Sequence, residues 1–118
     1  MTTTKFLTAP CGVLLLLLAA CGGSAPLSPE LVIKPSEATV TLYNRSCISC
    51  HASGAAGAPR SGDTAAWAAR IEQGREVLLT RTRSGWGGMP PMGMCQQCSD
   101  AQFIDLIEYM AQSKISKP

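Results

Sequence analysis

Five consecutive residues, Cys47-Ile48-Ser49-Cys50-His51, concentrate the reactive chemistry of this chain and include its one histidine. On a helix, residues three and four apart share a face. Cys47 and Cys50 then present two thiols side by side, and His51, four residues beyond Cys47, brings an imidazole to the same side. Thiols at that separation reach the two vinyl groups along one edge of a porphyrin, with the imidazole beneath the iron. This is the pattern of covalent c-type haem attachment, with His51 as proximal ligand. Two other chemistries use similar residues. A Cys-x-x-Cys redox pair belongs with a βαβ pattern, which is absent here. A four-thiolate zinc site would join Cys47 and Cys50 to Cys95 and Cys98; it suits a reducing compartment and leaves His51 without a role.

The N-terminus bears on the compartment. Lys5 precedes an apolar run from Gly12 to Ala20, with an unbroken Leu14–Leu18 block, and the run stops at Cys21. A basic start, an apolar stretch shorter than a membrane span and a small-residue exit predict a signal peptide over residues 1–20. Export implies an oxidising compartment, where free thiols seldom persist. The exit Leu18-Ala19-Ala20-Cys21 resembles the bacterial lipobox, which implies a diacylglycerol on Cys21, a lipid anchor to the membrane and a location in the cell envelope facing the periplasm. Gly22 in place of Asp leans towards the outer membrane. Residues 21–35, small and rich in proline, read as a flexible tether.

That leaves residues 36–118 for one small domain, in which an apolar core alone gives a slim margin and a buried prosthetic group adds to it. The formal charge of +2 in 118 residues, with no basic run, argues against nucleic acid as a partner. A single histidine excludes bis-histidine ligation within a monomer, so methionine is the natural sixth ligand. Met110 sits in a helical pattern and reads as core. Met89, Met92 and Met94 crowd the loop from Gly85 to Met94, where glycines and prolines forbid a helix. Pro90 stiffens the chain just after Met89, which makes Met89 the best placed, with Met92 and Met94 still open.

Three to four helices are predicted and no strands: an all-α fold. The first covers about Ser36 to Ser49. The second starts after Asp63 as N-cap, with a further helical set from Arg75 to Arg83 beyond Gly74. The last opens on the capping box Ser99-Asp100-Ala101-Gln102 and carries Phe103, Leu106, Ile107 and Met110 at helical spacing.

The series Gly57-Ala58-Pro59-Arg60, Gly62-Asp63, Ala66-Trp67, Arg70, Met89-Pro90-Pro91, Gly93, Cys95, Cys98-Ser99-Asp100 and Tyr109-Met110 resembles class I cytochromes c, and within them the small c-five kind. The resemblance spans residues 36–112. It implies helices wrapped around one covalently bound haem c, with His51 and Met89 on the iron. It implies that the Pro59 carbonyl accepts the His51 ring N–H, that Arg60, Trp67 and Arg70 lie near the propionates, and that Cys95 and Cys98 form a disulfide. Met92 and Met94 depart from the family, which has a basic residue and a glycine there. Thr39 stands where the family has glycine at the crossing of the first and last helices, and should widen that crossing. The function implied is that of an electron carrier rather than an enzyme, cycling Fe(III)/Fe(II) between redox partner proteins, with no small-molecule substrate. The alternatives are a small-ligand sensor or peroxidase-like haem protein with a labile sixth ligand, and a haem subunit of a larger oxidoreductase.

Overall fold

The computed structural model describes residues 33–118. The expected signal peptide, Cys21 and most of the expected tether lie outside the described residues. Four helices make the fold. The first, α1, starts at Ser36, whose hydroxyl accepts the Thr39 N–H at 3.1 Å. It runs Glu37–Leu42, continues through a π-helical stretch, Tyr43–Cys47, and finishes as Ile48–His51. The sequence pattern predicts a regular helix here. The wide turn accommodates an extra residue, which shifts the register of everything after it by about 100°. Tyr43 thereby faces the last helix while Cys47, Cys50 and His51 face a cavity.

Helix α2 (Thr64–Ile71) is capped by Asp63, whose carboxylate accepts the Ala66 N–H at 2.9 Å. Gly74, at φ +90°, turns the chain into α3 (Arg75–Ser84). Helix α4 (Asp100–Ala111) opens on the expected reciprocal box: the Ser99 hydroxyl accepts the Gln102 N–H at 3.3 Å, and the Gln102 side chain accepts the Ser99 N–H at 2.9 Å. Among the described residues the only strand-like pairing is between Trp86 and Met89.

Helix α4 is the centre of the core. Phe103, Ile104, Leu106, Ile107 and Met110 are all buried, packed with Tyr43, Trp67, Leu78, Leu79 and the Cys95–Cys98 pair. Each such side chain contributes about 1.5–3 kcal/mol by leaving water. Thr39 does not keep α1 and α4 apart. It is buried, its hydroxyl lies 2.8 Å from Ser36 Oγ, and one turn on Tyr43 meets Tyr109 edge to face at 5.3 Å. The C-terminal segment closes the other side. Buried Glu108 accepts from Lys114 Nζ at 2.5 Å and from the Ile115 N–H at 3.1 Å. The Arg75 N–H donates to the Lys117 carbonyl at 3.1 Å, and a Cβ on Gly74 would run into the Pro118 main-chain oxygen. Only glycine permits so close an approach.

Candidate functional site

The helices and the loop between α3 and α4 enclose a cavity of about 310 Å³. Cys47, Cys50 and His51 line one wall from the end of α1, and Met89 lines the cavity from the loop. The lining contains no carboxylate, and its charged groups are Arg70 and Arg81.

On the α1 side the arrangement is specific. The His51 Nδ1 lies 2.8 Å from the Pro59 carbonyl oxygen. A carbonyl only accepts, so Nδ1 carries the proton and Nε2 holds the lone pair. Nε2 makes no hydrogen bond among the described residues. Burial lowers the His51 pKa, the bond to Pro59 pulls the other way, and Arg70 adds to the lowering. Trp67 stacks on the imidazole at 5.6 Å and 26°. Cys47 and Cys50 are free thiols. Burial, and then the neighbouring Cys50, push the Cys47 thiol up to about 11, so it stays protonated at neutral pH.

The loop is shaped to bring Met89 in. Trp86 and Met89 exchange backbone hydrogen bonds at 3.1 and 3.0 Å across Gly87-Gly88, a two-residue turn. A Cβ on Gly88 would stand 2.6 Å from both Ala56 Cβ and the Ala56 carbonyl oxygen, so the turn lies directly on the loop after α1. Beyond Pro90, the residues Met92, Gly93 and Met94 all have positive φ. Cys95, wholly buried, is joined to Cys98 by a disulfide that anchors the end of this segment.

The disulfide removes the zinc alternative: two of its four thiols are spent on each other, and no cluster of metal-binding His, Cys, Asp or Glu occurs among the described residues. The all-helical fold likewise lacks the βαβ context of a thioredoxin-like pair. The residues grouped near the propionates separate. The Trp67 Nε1–H donates to the Arg60 carbonyl at 2.8 Å, so it is not free for a propionate. The Arg60 side chain is exposed, donates to the Ala52 carbonyl at 3.3 Å and does not line the cavity. Trp86 and Arg81 stand out as residues to which the spacing of the sequence gave no role. Trp86, 51% exposed, lies at the cavity with the Arg81 guanidinium 4.0 Å and that of Arg70 5.9 Å from its ring. A tryptophan amid glycines was the available signal; the arginines come from other elements.

The fit to haem is good on these observations. Free thiols, an imidazole lone pair and a thioether converge on one apolar cavity, and two arginines offer charge for carboxylates.

Comparison with known proteins agrees. Residues 36–110 match the family model described as "Cytochrome C oxidase, cbb3-type, subunit III". The chain is 35% identical to cytochrome c5 of Ectopseudomonas mendocina over 79% of its own length and 97% of that protein. It is 37% identical to cytochrome c-555 of Chlorobaculum tepidum, covering 81% of this chain and 94% of that one. Among solved structures, a mono-haem ferrocytochrome c from Shewanella putrefaciens superposes with a TM-score of 0.58 at 39% identity, over 64% of this chain and 94% of that one. The cytochrome c in an electron-transfer complex with nitrite reductase gives 0.59 at 38% identity, over 67% and 96%. The chain belongs to this family: it is a monohaem class I cytochrome c of the c5/c-555 type, an electron carrier with one covalent haem c.

Proposed function

We propose that this cytochrome carries single electrons between redox proteins of a bacterial cell envelope while tethered to a membrane through lipid on Cys21. Haem, when bound, supplies the Fe(III)/Fe(II) couple. The observation that carries the reading is the pairing, on one cavity, of the His51 lone pair with the Met89 thioether. Cys47 and Cys50 would hold the group covalently through their sulfurs. The Pro59 carbonyl fixes the His51 tautomer and strengthens the ring as a donor. Trp67 backs the imidazole and fixes its plane. Met89, steadied by the Gly87-Gly88 turn and Pro90, would supply its thioether to the iron. With a ligand from each of His51 and Met89, the chain would leave the iron no position for a substrate and would suit it to electron transfer with a docked partner.

The sequence pattern of a signal peptide (1–20), a lipidated Cys21 and a tether (to residue 35) supports a domain (36–118) held on the periplasmic side, with Gly22 favouring the outer membrane. Among the described residues no helix is long and apolar enough to cross a membrane. The similar cytochrome in complex with nitrite reductase supports a redox enzyme as partner.

Visible spectra test the reading. The oxidised protein is expected to be low-spin with a weak band at the red edge, and the reduced protein to resist CO. A high-spin oxidised form whose reduced state takes up CO readily would overturn electron transfer in favour of small-ligand chemistry. For the anchor, Cys21→Ser is expected to move the protein from the membrane to the soluble fraction; unchanged partitioning would remove Cys21 as the lipid site.

A further inference from the structure

Three methionines fall within the ligand loop, and the structure gives them different surroundings. Met92 is half-buried against the core and does not line the cavity. Met89 and Met94 both do. Met94 is 66% exposed, the most exposed of the large apolar side chains among the described residues. Its backbone sits at φ +63°, a conformation that favours glycine and is strained for a side chain. Neither packing nor burial offsets that strain, so Met94 is a free thioether on a cavity wall. It is also close in chain to the resting ligand. A Cβ on Gly93 would stand 2.8 Å from Met89 Cε, so the end of Met89 lies against the residue that immediately precedes Met94. No other group competes well. The cavity lining contains no lysine and no histidine besides His51; Met110 also lines the cavity, but at 3% exposure it is packed into the core from α4.

We propose that Met94 is a reserve axial ligand, a second thioether that takes the sixth position on the iron when Met89 is displaced. The proposal rests on Met89 being the resting ligand. The exchange breaks one iron–sulfur bond and forms another, with no net transfer of a proton or electron. Its consequence is an iron that stays six-coordinate and closed to small ligands when Met89 leaves, for instance after oxidation to the sulfoxide.

The test compares Met89→Leu, which keeps side-chain volume, with Met89→Leu/Met94→Ala and Met89→Leu/Met92→Ala, and repeats the set with Met89→Ala as a guard against misfolding of one background. The oxidised single variant is expected to retain a low-spin, thioether-type spectrum in a substantial fraction of molecules. Adding Met94→Ala should abolish that fraction and open the reduced protein to CO; adding Met92→Ala should change nothing. A single variant that is already fully high-spin and matches the Met94 double overturns the reserve role while leaving Met89 as ligand. If Met94→Ala alone removes the red-edge band of the otherwise native protein, Met94 is the resting ligand, and both the reserve role and the Met89 assignment fall.

Discussion

Trp67 shows how one side chain serves both stability and the site. Its ring lies on His51 and its N–H satisfies the Arg60 carbonyl, so the loop after α1 is tied to α2 through the indole. Trp67→Ala should cost about 3–5 kcal/mol, as large-to-small changes at buried aromatics do, with the loss read by denaturant unfolding; a loss under 1 kcal/mol would contradict its place in the core. Met94 makes the opposite case. Glycine at that position relieves the positive φ and gives up little packing, so Met94→Gly should raise stability by about 1 kcal/mol, visible as an increase in Tm. That Cys47, Cys50 and His51 face one cavity was legible in the sequence because contiguous residues on one helix share their geometry. The uses of Arg60 and Trp67 were not, because a backbone carbonyl as partner leaves no mark on residue type.

At the scale of elements, the helix starts were legible and the interior of α1 was not. Asp63 and Ser99 signal their caps through local side-chain chemistry that the structure reproduces. Ser99→Ala should lower stability by about 1 kcal/mol, as loss of an N-cap does, measured by thermal unfolding. The stretch Tyr43–Cys47 carries no glycine or proline to announce a wide turn. Its cause lies in what its two ends must face, Tyr109 on one side and the cavity on the other, which only the tertiary arrangement specifies. The loop between α3 and α4 depends on a device of its own. The disulfide fixes the end of the strained Met92–Met94 segment, and its removal in Cys95→Ala/Cys98→Ala should cost about 2 kcal/mol by loss of the short cross-link. Unchanged unfolding free energy would show that packing alone holds the loop.

The described residues form a helical shell closed on itself by the segment that follows α4. Lys117 and Pro118 sit on the α2–α3 junction, and buried Glu108 holds the turn that sends them there. None of this long-range closure is written in local pattern; Gly74 was visible only as a helix break. The helical class and the identity of the cofactor were legible, because a small chain with few core residues and one haem motif has few other ways to be stable. The central claim is that this shell holds iron between His51 and Met89. NMR of the reduced protein, labelled at the methionine methyl groups, tests it most directly, since a thioether on the iron places its methyl over the porphyrin and shifts it far upfield. One such methyl is expected, unchanged in Met92→Ala and Met94→Ala and lost from its place in Met89→Ala; its assignment to Met92 or Met94, or the lack of any shifted methyl, would contradict the account.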